Sequence, residues 1–150
     1  MATECREMIE TDNAYAAGVV DGEGCIQINA TPKHTWLAIS VANSDPRVCV
    51  WLAERFGGKV HQDKSRVRNG KPTRIMYSWQ VGSATAGEFL KAIHPYLVIK
   101  KEQADIALAF LVTKGKGGQR VEPGDQLHRL DLIERLNKTR AHRPPLRAVK

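Results

Sequence analysis

At 150 residues the chain is long enough for one domain with its own core, and 42% hydrophobic against 26% charged residues excludes wholesale disorder. No apolar run approaches the ~18–20 residues of a bilayer span, and the first residues lack a signal peptide's apolar stretch. Membrane and secreted classes are therefore set aside for a soluble protein of the cytoplasm or an organelle. The net charge of +7 is uneven: residues 1–25 hold six acids and one base, whereas the rest holds 22 bases and 10 acids, a balance that attracts polyanions.

In chain order, Thr11, Asp12 and Asn13 offer helix caps, and a short helix is predicted over 14–21, closed by Gly22 and Gly24. Residues 25–29 alternate polar and apolar, as a half-buried strand does, and after a turn at Pro32-Lys33 the alternation resumes with Leu37, Ile39 and Val41 on one face. Asn43-Ser44-Asp45-Pro46 starts a helix with Val48, Leu52 and Phe56 on one stripe, stopped by Gly57-Gly58. Two strands, over 59–68 and 72–81, flank Asn69-Gly70, a hairpin dipeptide whose residues tolerate positive φ. Helices are predicted over 84–94 and 100–113. Residues 114–124 form a glycine-containing linker. A last helix over about 125–138, with Leu127, Leu130, Ile133 and Leu136 near one side, leads into a basic tail that ends the chain at 150. The order suits an α+β fold: an antiparallel sheet with helices on one face.

The three cysteines (Cys5, Cys25, Cys49) are odd in number and lack Cys-x-x-Cys spacing, so they are read as reduced and structural. The sheet face turned away from the apolar positions would carry Cys25, Gln27, Asn29, Thr31, His34, Trp36 and Ser40. Amides and hydroxyls match base edges in a major groove, although a merely solvated face would look the same. Basic residues concentrate over 59–74, including Arg66, Arg68 and Arg74, and again from Lys138 through Arg140 and Arg143 to the end. Both clusters suit phosphates.

The octet Ala17-Gly18-Val19-Val20-Asp21-Gly22-Glu23-Gly24, with Ala16 before it, resembles the signature of the LAGLIDADG homing endonucleases. The strand directly after it, the αββαββα order, and the stretches 43–47, 56–58 and 95–104 are similar to single-motif members. The resemblance covers residues 13–113. Glu23 stands where the family usually has aspartate, which keeps the charge and adds one methylene. Ala14, Ala17, Gly18 and Asp21 fall at helical spacing on a face nearly devoid of side chains, where a second copy's helix could approach closely.

Docking through that face would bring the two copies' Glu23 carboxylates beside a two-fold axis. Their repulsion would be relieved by a hard divalent cation held by Glu23 and the Gly22 carbonyl: Mg2+, with Mn2+ or Ca2+ as substitutes. The resemblance further implies a saddle-shaped sheet, outer catalytic positions at Asn43, Arg47 and Lys100, and a homodimer that cuts both strands of a long, nearly palindromic DNA site to leave 3′ overhangs. Cys25, Gln27, Asn29, Thr31, His34, Ser40 and His61 would read bases. An intron RNA maturase, or a DNA-binding protein that does not cut, is the alternative.

Overall fold

A computed structural model of the chain describes residues 2–31, 34–64, 67–113 and 123–141. Among the described residues there are five helices, α1 (Ala2–Glu23), α2 (Pro46–Phe56), α3 (Ser83–Ile93), α4 (Lys101–Val112) and α5 (Pro123–Ala141), together with a short 3₁₀ turn at His94–Tyr96. The strands are β1 (Gly24–Ala30), β2 (Thr35–Asn43), β3 (Lys59–Gln62), β4 (Val67–Arg68), β5 (Lys71–Pro72) and β6 (Tyr77–Gly82).

The two alternating runs become a hairpin, with Ile26 opposite Ile39 and Ile28 opposite Leu37, so period two sends every apolar side chain to one face. β2 then pairs antiparallel with β6, and β6 with β3, giving the sheet order β1-β2-β6-β3. Ile26, Ile28, Leu37, Ile39, Val41, Trp79 and Val81 are buried on that face against Ala16, Ala17, Val20, Cys49, Leu52, Phe89 and Leu90 of the helices. An aromatic chain crosses this layer in edge-on contacts from Tyr15 to Trp51, Phe56, Phe89 and Trp79, with ring centroids 4.8–5.9 Å apart. This is the α+β arrangement that the element order implies.

Local chemistry explains the boundaries. Asp45 caps α2 by accepting the Arg47 N–H, Pro46 occupies the first turn, and Gly57 ends the helix at φ +74°. Gly58 follows at φ +91°, where an added Cβ would lie 2.6 Å from the Gln80 carbonyl oxygen. The indole N–H of Trp79 donates to the Gly57 carbonyl at 2.7 Å and ties this turn to the sheet. The buried Cys49 thiol, pushed up by desolvation, faces the Val41 and Tyr77 carbonyls at 3.7 Å, and Cys25 and Cys49 are both free thiols.

Three expectations need correction. α1 begins at Ala2, not near residue 14: no glycine or proline interrupts the upstream residues, and Asp12, instead of capping, pairs with Arg55 of α2 at 2.9 Å. The predicted hairpin divides. β3 joins the main sheet, whereas β4 and β5 form a two-residue ribbon around Asn69 and Gly70, whose φ angles of 52° and 74° suit a type I′ turn. In α5, Leu132 and Leu136 are buried but Leu127 and Leu130 are exposed. Arg129 sets that rotation: its buried guanidinium donates to the Thr113 carbonyl (2.6 Å) and hydroxyl (3.2 Å) at the end of α4 and lies over the Phe110 ring.

Candidate functional site

The motif octet occupies the last two turns of α1 and the first residue of β1. At Gly24 an added Cβ would meet the Val20 backbone at 2.7 Å, so only glycine allows the helix to turn directly into the strand. Gly18 and Gly22 differ: an added Cβ would meet nothing within 4 Å. The exposed stripe of α1 runs through Ala14, Tyr15, Gly18 and Gly22. Of the four residues assigned to the open face, Ala17 is wholly buried in the chain's own core, so the face is rotated toward Tyr15, which is 55% exposed. Val20 packs inward, whereas Tyr15 lies at the edge of the stripe.

Asp21 also departs from that face. Its carboxylate accepts the backbone N–H of Val98 at 2.8 Å and of Lys100 at 2.9 Å, both from the chain's own loop before α4. A carboxylate at a helix C-terminus needs such donors to offset the dipole. The same loop delivers Lys100, whose ammonium donates to the Asp21 carbonyl at 2.5 Å across 79 positions of sequence. This separates Lys100, half-buried at the motif, from its exposed neighbour Lys101. Glu23, the last residue of α1, is exposed.

Asn43 reaches the same end of the sheet from β2, because Gly24 pairs with Val41 two residues earlier. Its carbonyl oxygen accepts the Asp45 N–H at 2.9 Å. Arg47 is not brought to Asn43 by a helical turn, since residues 43–45 precede α2 and Asn43 is still in β2. Its guanidinium is forked onto Asp45, with Nε 3.0 Å from both carboxylate oxygens and Nη2 2.5 Å from Oδ2, while the side chain remains 89% exposed. These bonds hold the Asp45 carboxyl down to about 2. The sequence places Asp45 in the capping stretch before α2 but not as the partner of the Arg47 guanidinium; its position two residues before Arg47, at a cap, is the signal that could have found that pairing.

The sheet face away from the helices carries the expected set. Cys25, Gln27, Asn29 and Ser40 are half-buried there, and His61 is exposed on β3 opposite Ser78. One row crosses all four strands: Cys25, Ser40, Gln80 and Lys59. Gln80, Ser78 and Lys59 were not among the predicted readers, although the inward Tyr77, Trp79 and Val81 already imply that Ser78 and Gln80 face outward. Thr31 and His34 close the β1–β2 turn through mutual bonds of 2.7–3.3 Å, and His34 stacks on Trp36, which accounts for a tryptophan on this face.

Arg68 and Arg74 are exposed on and beside the small ribbon. Lys138 pairs with Glu134 on α5, and Arg140 reaches the Cys25 sulfur. Arg66 and Arg143 lie outside the described residues.

No protein-family profile matches the chain, and no curated protein does. Solved structures do. The homing endonuclease I-CvuI, in complex with its target in the presence of 2 mM Ca, matches at TM-score 0.70 and 20% identity over 91% of this chain and 86% of its own. The archaeal intron-encoded homing endonuclease I-Vdi141I, complexed with DNA, matches at 0.70 and 15% over 90% and 87%. The LAGLIDADG meganuclease I-AabMI, bound to uncleaved DNA, matches at 0.63 and 16%, covering 81% of this chain but 43% of its own. The octet on a helix that runs into a sheet edge, and the architecture shared along most of the chain, lead to one conclusion: this protein has the fold of the LAGLIDADG homing endonucleases.

Proposed function

We propose that the chain is one half of a homodimeric, divalent-metal-dependent DNA endonuclease that hydrolyses both strands of a long, nearly palindromic site and leaves 3′ overhangs. The observation that carries this reading is the gathering at the C-terminal end of α1, where Lys100 is bonded to Asp21, Glu23 is exposed and Asn43 ends the neighbouring strand. A phosphodiester would use an exposed carboxylate, an ammonium and an amide gathered at one helix end. The known structures that resemble the chain are of DNA complexes, and the chain spans most of I-CvuI but under half of I-AabMI, as a half-site protein would.

Two glycines in an exposed helix cost about 1 kcal/mol each relative to alanine. Among the described residues an added Cβ at Gly18 or Gly22 would meet nothing within 4 Å, so the close approach of a second α1 would explain them. Val98 and Ile99, 83% and 71% exposed on the loop clamped by Asp21, extend the apolar surface beside that face.

The donors fit a hard cation. Glu23 and the Gly22 carbonyl would supply oxygen ligands; among the described residues no group of three or more His, Cys, Asp or Glu could hold an ion within one chain, so the second copy's Glu23 would have to complete the set. That set suits Mg2+, which keeps waters and takes one or two carboxylates plus a phosphate oxygen; Mn2+ or Ca2+ could substitute. When bound, such an ion supplies activation of water and charge neutralisation at the leaving oxygen. The protein groups do the rest. Lys100 offsets phosphate charge, Asn43 offers its NH2 because its oxygen is engaged, and Arg47 can exchange Asp45 for a phosphate. The open sheet face, with Gln27, Asn29, Ser40 and His61 among its side chains, reads bases while Arg68 and Arg74 meet the backbone.

The test is cleavage of a plasmid library of randomised sites with Mg2+, with EDTA, and by Glu23→Gln. Cutting that needs the metal and falls at least ~100-fold in the variant supports the proposal. Duplex binding without cutting would point to a DNA-binding protein, and preference for structured RNA to a maturase.

A further inference from the structure

The row Cys25, Ser40, Gln80, Lys59 ends at β1, the edge of the sheet, yet a further side chain continues it. Arg140, in the last turn of α5 and 115 positions away in sequence, places Nη2 3.1 Å from the Cys25 sulfur. The same sulfur accepts Nε2 of Gln27 at 3.1 Å. We propose that Arg140 is a specificity-determining residue that reads guanine at the base pair facing Cys25, completing the row where the sheet has no fifth strand. The proposal rests on the DNA-cleaving reading above and deepens it.

The partner of Arg140 is informative. A thiol is a weak acceptor, so it orients the guanidinium without neutralising it and yields to a stronger acceptor. Among the described residues Arg140 makes no ion pair, whereas Lys138, two residues earlier on the same helix, is tied to Glu134 at 2.8 Å. Arg140 keeps Nε and Nη1 uncommitted, and a guanidinium fork matches O6 and N7 of guanine bidentately.

The helix that carries Arg140 is packed on the domain: α5 is held by the Arg129–Thr113 bonds and by buried Leu132 and Leu136, which brings its last turn beside β1. Gln27, next on the same face of β1, has one amide hydrogen engaged with the sulfur, so Cys25 couples the two readers.

The experiment selects binding sites from randomised duplexes with the wild type, Arg140→Ala and Arg140→Lys, with melting curves to confirm folding. The wild type is expected to select guanine at one position per half-site. Arg140→Ala should lose that preference, roughly 5- to 150-fold, with the other positions unchanged. Arg140→Lys should retain affinity and lose most of the discrimination, because it keeps the charge without the fork. A uniform loss for all bases, with the salt slope reduced by about one, would make Arg140 a phosphate contact and overturn the proposal. An unchanged base profile in Arg140→Ala would overturn it too, leaving the endonuclease reading intact. A wild type that selects no sequence would overturn both.

Discussion

Asp45 and Arg47 show how much one exposed pair can be made to say. Hydrogen bonds from the Arg47 guanidinium, then from its backbone N–H, depress the Asp45 carboxyl from 3.8 to about 2. A depressed carboxylate stabilises the fold fully above its unfolded value and loses that contribution as pH falls through the folded one. Stability should therefore decline between about pH 4 and about pH 2 through this group. Asp45→Asn keeps a capping side chain but should flatten that part of the profile. Urea melts of both proteins across the window check it; identical slopes would refute the linkage. Gly58 gives a sharper case, since Gly58→Ala must hold a side chain at φ +91° against the Gln80 carbonyl. A loss of about 2–3 kcal/mol is expected in chemical denaturation. The octet itself was legible residue by residue, because its small residues and acids stand at helical spacing. The partner of Asp21 was not, because Val98 lies 77 positions away and offers only a backbone N–H, which leaves no mark on sequence.

Among elements, α1 and α5 carry opposite lessons. The exposed stripe of α1 is free of the chain's own contacts at Gly18, so Gly18→Ala should raise monomer stability by up to about 1 kcal/mol through helix propensity alone. The bulkier Gly18→Leu should weaken self-association, read by sedimentation on duplex DNA. If both variants associate as the wild type does, the glycines are not serving a second helix. α5 is fixed by a buried cation. Arg129→Met keeps much of the packing but leaves the Thr113 carbonyl without its charged donor, and about 1.5–3 kcal/mol should be lost in thermal or urea unfolding. Periodicity alone put Leu127 and Leu130 inward on α5. It failed there because the helix has an arginine on its buried side, and a pattern count treats arginine as solvent-facing. On β1 and β2 the same reasoning succeeded, since strand period two leaves only two faces to choose between.

For the molecule as a whole, the separation of an acidic first helix from a basic remainder should make the proposed affinity for DNA strongly salt-dependent. Neutralising ~6–10 phosphates implies a fall of ~10³–10⁵ in affinity between 50 and 200 mM salt. A flat response in a binding titration would mean that the basic ribbon and α5 do not touch the backbone. The sequence by itself determined the α+β order, the turn at Asn69-Gly70, the polar character of one sheet face, and the octet with Glu23 at its end. Each of these is local: a period, a turn dipeptide or a helical spacing is written within a few residues. Only the tertiary structure decided that Ala17 turns inward, that Asp21 and Lys100 meet at one helix end, that Asp45 holds Arg47, and that α5 brings Arg140 to Cys25. Those contacts join residues whose partners are chosen by how helices rotate and loops return over the sheet, and that choice is made by packing the whole core at once.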